Sequence, residues 1–293
     1  MNNAVYYVLV IVAGYFCGCI ESGYLVGKLC GMDIRDYGSG NSGTTNVLRV
    51  LGKTRALLTF LGDALKSFIP VLVVKFLLCP AVPTLNADLI QLVTGFAAVM
   101  GHDYPVFLKF KGGKGIATTA AAMMAFDWRI GLCCFIIFVV VTAATRYVSL
   151  ASILLSAGIV VEVLIFHPGR WDLFAMCVLY AFFAIYRHRA NIGRLLSGTE
   201  SKIGQKVEVK ICHRQKTEAY VSFCELTLAV EQNYYLRLEC FGAQTDMFRH
   251  IDSIMKPRNL PENPQIFPHS VLIQPNPAIV SPRRDRYPIF VTS

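Results

Sequence analysis

The chain contains 293 residues, of which 54% are hydrophobic and 16% are charged, and it carries a formal net charge of +9. Soluble domains are about 25% charged, so the composition excludes a single water-soluble globule, a fibrous repeat and a disordered chain. Long apolar runs fill residues 1–186, whereas residues 187–293 contain no apolar run near the roughly 18 residues of a membrane span. The sequence predicts an all-α polytopic membrane domain, residues 1–206, and a non-membrane C-terminal extension, residues 207–293.

Seven segments are candidates for transmembrane helices. A helix needs about 20 mostly apolar residues to cross about 30 Å of hydrocarbon. Five segments approach or reach that length with the required composition: 4–27, 55–79, 129–145, 149–166 and 171–186. Two shorter segments, 87–100 and 113–126, could each be a tilted crossing, a re-entrant piece or a buried half-helix. We predict seven crossings.

The distribution of basic residues predicts the orientation. With seven crossings, the loops after crossings one, three, five and seven carry 14 Lys and Arg residues, against three on the other face. Such an excess marks the cytoplasmic side, so we expect the N-terminus outside and the C-terminus in the cytoplasm. If segment 113–126 did not cross, the basic cluster that begins at Arg187 would move outside and the asymmetry would largely disappear. Because the cations lie along a membrane face, we expect no nucleic-acid partner.

The spacing of cysteine and histidine residues gives no sign of a metal site. The ten Cys residues contain no C-x-x-C pair, and the six His residues lack metal-ligand spacing. We therefore predict no metal, no disulfide framework and no cofactor.

Three polar loops are predicted on the cytoplasmic face, and loop 1 spans residues 38–49. It reads GSGNSGTTNVLR, with four hydroxyl side chains, two Asn and three Gly in its first nine residues. Glycine lets backbone N–H groups converge on a ligand, and a helix that begins near Thr44 would point its positive end at an anion. The loop is a candidate phosphate cradle, and a flexible Gly/Ser connector is the plainer alternative.

Loop 2, residues 101–119, places three Lys among Gly and aromatic residues directly before a predicted helix. It is not a Walker A loop, because Gly115 rather than Ser or Thr follows Lys114. Its Gly-Gly-Lys-Gly sequence still fits an anion site, with Lys114 as a point charge. Basic residues that meet anionic lipid headgroups are the alternative.

Loop 3, residues 186–202, crowds several kinds of polar side chain at the exit of the last predicted span. A basic flank of a membrane helix needs only cations, so His188, Asn191 and Glu200 exceed that requirement. Because all three loops emerge on one side, we expect them to form one site that faces water, holds phosphates and opens laterally to lipid.

At these motifs the sequence resembles the bacterial membrane glycerol-3-phosphate acyltransferases that use acyl phosphate as donor, the PlsY family. The resemblance rests on SGNSGTTNVLR at 39–49, on GH, P, FL and FKGGKG followed by AT within 101–118, and on RHR, NI, RL, G, E and K within 187–202. It covers about residues 4–206, and three long motifs in this order are highly specific.

The resemblance implies the first acylation step of phospholipid synthesis. A long-chain acyl group would pass from acyl phosphate to the 1-hydroxyl of sn-glycerol 3-phosphate, giving lysophosphatidate and phosphate. Both substrates carry phosphate, so two anion sites are needed, while the acyl chain can stay among the membrane lipids. An acyl phosphate is already activated, so no enzyme nucleophile is required. The resemblance also implies a bacterial cytoplasmic (inner) membrane, with the active site on its cytoplasmic face.

The resemblance further implies roles for individual residues. Catalytic roles are expected for Ser39, Lys114, His188 and Asn191. Substrate binding is expected for a set of residues along the three loops: Asn41, Thr45, Asn46, Arg49, His102, Gly112, Gly113, Gly115, Arg187, Arg189 and Glu200. Glu200 would brace the Arg residues of its own loop. His188 could act as general base, but a phosphate oxygen of the donor could equally remove the hydroxyl proton.

Ionisable residues outside the loops have two interpretations. Asp63 and Lys66 lie three apart on one predicted helix face and could pair; for them, as for Glu21 and Glu162, we expect a structural or site-bracing role rather than direct chemistry. The segment 167–172 fits the HX4D pattern of another acyltransferase superfamily. By the orientation above it falls on the outer face, away from the three loops.

Two other functional classes also fit part of the sequence. A transporter or channel for phosphorylated solutes would explain basic loops on many spans, although three loops on one side suit surface chemistry better than alternating access. A non-catalytic lipid-binding scaffold would explain the loops without acyl transfer.

Residues 207–293 depart from the family pattern. Segments 207–212, 220–230 and 234–240 alternate like β-strands, and the chain beyond Pro257 is rich in proline. We expect a small β-rich unit followed by a disordered stretch.

Overall fold

A computed structural model describes residues 2–205 of the chain. All regular structure in that range is helical, which confirms the predicted all-α fold for this part of the protein. The C-terminal extension, with its predicted β-rich unit and disordered stretch, lies outside the described residues. The domain boundary at residue 206 therefore stays a prediction.

Eleven α-helices follow one another within residues 2–205. They are α1 (Asn3–Gly18), α2 (Ser22–Leu29), α3 (Thr44–Leu51), α4 (Lys53–Val73), α5 (Cys79–Ala81), α6 (Ala87–Asp103), α7 (Ile116–Phe126), α8 (Trp128–Thr145), α9 (Val148–Phe166), α10 (Trp171–Arg187) and α11 (Arg189–Leu196). A π-helical turn at Val74–Leu78 joins α4 to α5. Short 3-10 turns lie at Ile34–Asp36 and Val106–Leu108.

Four helical stretches in the described part of the chain are long and apolar enough to cross a membrane: Asn3–Leu29, Lys53–Ala81, Trp128–Thr145 and Val148–Phe166. Helices α6 and α10 have 17 residues each, and α7 has 11. At 1.5 Å per residue α7 is about 16 Å long, roughly half the hydrocarbon thickness. Seven crossings and the orientation in the membrane remain predictions.

The surface and the interior of the bundle both suit a lipid environment. Large apolar side chains point outward, with Phe76, Phe135 and Ile165 each at least 60% exposed, as expected where lipid replaces water as the solvent. Inside, α1 and α6 approach closely through glycine. A Cβ added to Gly18 would lie 2.0 Å from the carbonyl oxygen of Ala98, and one added to Gly101 would lie 2.0 Å from that of Tyr15. Small residues at such crossings are typical of membrane helices.

The first predicted span, 4–27, is confirmed as part of a stretch long and apolar enough to cross a membrane, Asn3–Leu29, but that stretch is interrupted and is not one continuous helix. The chain leaves the helical path at 19–21, between α1 and α2. The break leaves the carbonyl of Ile20 as an acceptor for the ammonium of Lys66, at 2.9 Å. Glu21 is drawn inward at the same place, to within 3.6 Å of that ammonium. The interruption therefore offers a free carbonyl and a carboxylate to the same buried ammonium.

Helix α7 runs from the Gly112–Gly115 turn to the side chain of Lys75. It starts directly after the Gly112–Gly115 turn, where Gly115 adopts a φ of +67° that favours glycine. The predicted segment 113–126 was therefore three residues too long at its start. At the other end, Lys75 donates to the carbonyl oxygens of Ala125 and Phe126, at 3.0 and 2.8 Å. A cation at this position caps the last carbonyls of the helix.

Candidate active site

A chain of hydrogen bonds connects loop 2 to loop 3. Lys114 Nζ donates to Asn191 Oδ1, and Asn191 Nδ2 donates to Glu200 Oε1 at 2.6 Å. Arg194 Nε donates to the second oxygen of Glu200, also at 2.6 Å. Asn191 is held by α11, which directly follows α10, and Lys114 by the turn before α7. Glu200 braces an Arg of its own loop, as expected from the sequence.

Arg49 brings loop 1 to the same place. It lies in the last turn of α3 and its Nη2 atom is 3.4 Å from the carbonyl oxygen of Ser201. Its Nε atom is buried and has no hydrogen-bond partner among the described residues. Burial lowers the pKa of Arg49 below its ordinary value, with Glu200 opposing that shift. The three loops thus meet around Glu200 and Ser201.

Lys114 is a half-buried cation in this group. Burial, which disfavours the charged ammonium, lowers the pKa of Lys114 to about 8. The carboxylate of Glu200 raises it, whereas the guanidinium groups of Arg194, Arg187 and Arg49 lower it further. An ammonium among three guanidinium groups and one carboxylate is an environment that favours a bound anion.

Arg187 and Arg189 flank His188 but make different contacts. Arg187 donates from Nη2 to the carbonyl oxygen of Gly112 at 2.9 Å and from Nε to that of Gly113 at 3.0 Å. Its guanidinium also lies over the ring of Tyr104, 5.1 Å from the centroid. Arg189, the first residue of α11, is exposed and lies over the ring of Tyr186 near the end of α10. Arg187 therefore holds the turn that carries Lys114, and Arg189 stays at the surface.

His188 is buried, with an exposed fraction of 3%. Its Nδ1 lies 2.7 Å from the carbonyl oxygen of Ala184, one turn earlier in α10. A ring N–H at Nδ1 satisfies that carbonyl and leaves the lone pair of Nε2 as an acceptor. Burial, together with the charge of Lys114, lowers the pKa of His188 to about 4. The imidazole is therefore neutral at neutral pH.

Asn46 organises loop 1 from within. Its Nδ2 lies 2.8–3.1 Å from three carbonyl oxygens, those of Ile34, Tyr37 and Asn41, and its Oδ1 accepts the backbone N–H of Ser39 at 2.8 Å. Helix α3 begins at Thr44, which confirms the expected helix start. Asn41 accepts the N–H of Gly43 at 2.8 Å. This scaffold leaves the Ser39 residue exposed and Thr45 half-buried in the first turn of the helix.

His102, in the last turn of α6, lies beneath the Gly112–Gly115 turn rather than in the group around Glu200. Its carbonyl accepts the N–H of Gly113 at 3.0 Å, and a Cβ added to Gly113 would lie 2.0 Å from its Nε2. A Cβ on Gly112 would meet the same carbonyl oxygen at 2.0 Å. On the other side of the ring, Nδ1 lies 2.9 Å from Glu21 Oε1 and 2.6 Å from Lys66 Nζ. The backbone of loop 2 therefore rests on this imidazole.

Known proteins are similar to this chain in sequence and in fold. The family model described as Glycerol-3-phosphate acyltransferase matches residues 8–198. The chain belongs to this family. The glycerol-3-phosphate acyltransferase of Thermoanaerobacter sp. (strain X514) is 45% identical over 206 residues, which are 70% of this chain and 100% of that protein. The relative from Clostridioides difficile (strain 630) is 44% identical over 207 residues, with 69% and 98% covered.

Two crystal structures of PlsY (YgiH), an integral membrane glycerol 3-phosphate acyltransferase, are also similar. They represent its glycerol 3-phosphate form and its lysophosphatidic acid form, with TM-scores of 0.62 and 0.60. Each is 38% identical, and the match covers 68% of this chain and 96% of PlsY. The resemblance inferred from the three motifs is confirmed: this chain is an integral membrane acyltransferase of the PlsY family.

The HX4D pattern at 167–172 does not form a His–Asp pair within this family fold. His167 Nε2 lies 3.0 Å from Asp127 Oδ2, at the junction of α7 and α8. Asp172 instead binds Arg170 at 2.9 Å and Asn86 at 2.8 Å. His167 therefore lies at the far end of α7 from Lys114.

Sequence reasoning missed three contributors to the acyltransferase loops. The carbonyl of Ser201 accepts from Arg49, Arg35 Nη1 lies 3.4 Å from the carbonyl of Lys111, and Ser42 donates to Glu21 at 2.6 Å. A backbone carbonyl leaves no signal in a sequence. Ser42 lies inside the first motif, and its partner Glu21 had been recognised as an ionisable residue within a span. The hydrogen bond between Ser42 and Glu21 became apparent only from the fold.

Proposed function

We propose that the chain transfers a fatty acyl group from acyl phosphate to the 1-hydroxyl of sn-glycerol 3-phosphate and releases lysophosphatidate and phosphate. The observation that carries the proposal is the meeting of Arg49, Lys114 and Asn191, one from each loop, around Glu200. The two crystal structures of PlsY, in its glycerol 3-phosphate and lysophosphatidic acid forms, support the same acceptor and product for this chain.

The charge balance of the site suits two phosphorylated substrates. Arg49, Lys114, Arg187 and Arg194 lie around a single carboxylate, Glu200, which leaves an excess of three positive charges. A phosphate monoester carries about −1.5 to −2 at neutral pH, so two substrates carry about −3 to −4 and neutralise that excess. Any remaining negative charge is met by the N-termini of α3, which begins within loop 1, and of α7, which follows the Gly112–Gly115 turn.

Each loop contributes a distinct role in this proposal. Ser39 and Arg49 bind phosphate from loop 1, where Asn41, Thr45 and Asn46 shape the pocket. Lys114 binds phosphate from loop 2, where Gly112, Gly113 and Gly115 bring the backbone close to the ligand. One N–H group of the Lys114 ammonium donates to Asn191, so two N–H groups remain for ligand oxygens. Asn191, oriented by Glu200, places that ammonium beside the reacting carbonyl.

The chemical step requires no covalent enzyme intermediate. The 1-hydroxyl oxygen attacks the carbonyl carbon of the acyl phosphate and forms the new ester bond. The bond between that carbon and the bridging oxygen then breaks, and the phosphate leaves with the electron pair. The hydroxyl proton must pass to a base. Lys114 stabilises the negative charge that develops on the carbonyl oxygen and on the leaving phosphate.

The leaving phosphate is the stronger candidate for that base. The pKa of His188 is held at about 4 by burial and by Lys114, whereas the second pKa of a phosphate ester is about 6. The phosphate released as the carbon–oxygen bond breaks is at least as basic as such an ester, so it takes the proton more readily than this imidazole does. His188 instead accepts a hydrogen bond at Nε2 and orients the acceptor hydroxyl for attack.

The proposal includes a placement of the site in the membrane. The acyl chain remains among the membrane lipids that contact the apolar outer surface of the bundle, while glycerol 3-phosphate enters from water. The excess of basic residues on one face of the predicted topology supports a crossing by α7, and so seven crossings in all. With the basic loops on the inside, the site faces the cytoplasm from the bacterial inner membrane. About 206 residues of this chain cover the relatives almost completely, which supports catalysis by residues 1–206.

A comparison of acyl donors tests the proposed function. The full-length protein in membranes is supplied with glycerol 3-phosphate and either palmitoyl phosphate or palmitoyl-CoA, and the products are identified by mass spectrometry. We expect 1-palmitoyl-glycerol 3-phosphate from palmitoyl phosphate alone. Product formed from palmitoyl-CoA but not from palmitoyl phosphate would reject the proposed donor and leave the family assignment intact.

A further inference from the structure

Four ionisable side chains form a buried cluster below the candidate active site: Glu21, Asp63, Lys66 and His102. Their exposed fractions are 3%, 2%, 7% and 3%. Lys66 Nζ lies 3.1 Å from Asp63 Oδ1, 2.6 Å from His102 Nδ1 and 3.6 Å from Glu21 Oε1. The predicted pairing of Asp63 with Lys66 is confirmed, and Glu21 and His102 complete the group, which we call the charge cluster.

The charge cluster touches loop 1 through a single side chain. Ser42 Oγ donates to Glu21 Oε2 at 2.6 Å, and Ser42 is 1% exposed. Ser42 lies between Asn41 and Gly43, in the segment that leads into α3 and Arg49. A carboxylate from the start of α2 therefore anchors loop 1 to the bundle at Ser42.

The charge cluster supports loop 2 from two sides of Lys114. Before it, the backbone N–H of Gly113 donates to the carbonyl of His102, and the His102 ring fills the space where a Gly113 side chain would be. After it, Thr118 Oγ1 donates to the backbone carbonyl of Asp63 at 3.0 Å. Lys114 thus lies between two contacts made by residues of the same cluster.

Burial of four ionisable groups is costly, and such groups inside membrane proteins are expected to have a function. Glu162 offers a comparison. It is also buried, at 7% exposed, but it contacts Cys134 Sγ at 3.8 Å and belongs to α9, apart from loops 1 and 2. A buried carboxylate therefore does not by its burial alone contact these loops. Glu21 contacts Ser42 of loop 1 and His102 of loop 2, whereas Glu162 contacts neither loop.

We propose that the charge cluster is a positioning device that holds loop 1 and loop 2 in register, so that both phosphate-binding loops act on one reacting pair. Glu21 is the shared element, because one oxygen binds Ser42 and the other lies 2.9 Å from His102. None of the four side chains needs to contact substrate in this role. The inference rests on the site proposed above, in which the two loops bind the two phosphates.

A positioning role predicts a separation between turnover and binding. The transition state requires both substrates in register, whereas binding of glycerol 3-phosphate alone does not require the second phosphate. In Ser42→Ala and Glu21→Gln we expect kcat to fall by about tenfold to a hundredfold, as misplacement of reacting groups by about 1 Å does. The Kd of glycerol 3-phosphate, measured by calorimetry without donor, should change by about twofold or less, a shift of about 0.4 kcal/mol.

The double variant distinguishes the loss of one shared contact, between Ser42 and Glu21, from general damage to the fold. Ser42→Ala and Glu21→Gln break the same connection, so the double variant should lose no more than the worse single variant. Glu162→Gln is the matched control and should keep the kcat of the parent protein. Thermal melting of each purified variant in detergent reports whether the fold is intact, and Ser42→Ala is the mildest change.

Two results would overturn the inference. One is a kcat within about twofold of the parent in both single variants. The other is a loss of kcat that is additive in the double variant and accompanied by equal weakening of glycerol 3-phosphate binding and a lower melting temperature. Lys114→Met is measured in parallel, because normal turnover in that variant would reject the proposed site itself, whichever way the cluster variants behave.

Discussion

Lys114 and Asn191 are joined by a hydrogen bond although 77 residues separate them along the chain. The ammonium donates to the amide oxygen, and the amide nitrogen in turn donates to Glu200. An amide oriented in this way can accept from a cation but offers no charge to neutralise it. Lys114 is therefore fixed in direction while its positive charge remains available for a phosphate or a developing oxyanion.

Removal of the Lys114 charge tests this arrangement. We expect Lys114→Met to lower kcat/KM by about tenfold to a hundredfold, because a hydrogen bond to a charged group contributes about 1.5–3 kcal/mol. Lys109→Met is the matched control, since Lys109 lies in the same loop and is exposed. Equal activity in the two variants, measured as glycerol 3-phosphate-dependent phosphate release, would show that Lys114 is one more surface cation.

The lowered pKa of Lys114 predicts a limit on the alkaline side. The ammonium is charged below its pKa of about 8 and neutral above it, so phosphate binding by the free enzyme weakens as the pH rises through that value. The pH profile of kcat/KM reports groups of the free enzyme and should decline above about pH 8. His188 stays neutral above its pKa of about 4, so its titration should not change kcat/KM near neutral pH.

Lys114→Arg identifies the source of that decline. A guanidinium has a pKa above about 12, so the variant should retain some activity and lose the alkaline limb near pH 8. An unchanged limb in Lys114→Arg would assign the titration to another group.

Arg187 and Arg189 provide a matched pair of arginines on either side of His188. Arg187 binds the carbonyl oxygens of Gly112 and Gly113, whereas Arg189 is exposed over Tyr186. Loss of the first guanidinium frees the turn that carries Lys114. We expect Arg187→Ala to lower kcat/KM at least about tenfold more than Arg189→Ala. Equal losses in steady-state assays would place both side chains in substrate binding, as the sequence suggested.

Gly113 and Gly193 form a second matched pair. A Cβ at Gly113 would lie 2.0 Å from His102 Nε2, and the ring cannot retreat because Glu21 and Lys66 contact its other side. A Cβ at Gly193 meets nothing within 4 Å, and alanine favours a helix by about 0.8–1.0 kcal/mol. Gly113→Ala should displace Lys114 and abolish most activity, while Gly193→Ala should remain active. Comparable rates in the two variants would mean that loop 2 adapts without consequence.

Local patterns of the sequence predict much of the fold. The apolar runs 129–145 and 149–166 match α8 and α9 within one residue at each end, because an apolar helix in lipid needs only its own backbone hydrogen bonds. The interruption between α1 and α2 could not be predicted in this way. It depends on Lys66, which lies 46 residues away from Ile20, the carbonyl it binds.

The sequence likewise predicted some features of the candidate site and not others. The motifs located Lys114, Asn191 and Glu200, because several polar side chains at a membrane exit are conspicuous. His102 was expected among the substrate-binding residues, yet its ring contacts Glu21 and Lys66 below the loop. Which side of a backbone turn a side chain occupies is decided by partners 81 and 36 residues away, and no local pattern contains that information.

The most direct test of the account measures inorganic phosphate released from palmitoyl phosphate by membranes that contain the full-length protein, with and without glycerol 3-phosphate. We expect release only when glycerol 3-phosphate is present, one phosphate for each lysophosphatidate formed, and rates of both that are about tenfold to a hundredfold lower in Lys114→Met. Two results would contradict a single pocket built from three loops around two phosphorylated substrates. One is phosphate release at the same rate with and without glycerol 3-phosphate, and the other is lysophosphatidate formed at the full rate in Lys114→Met.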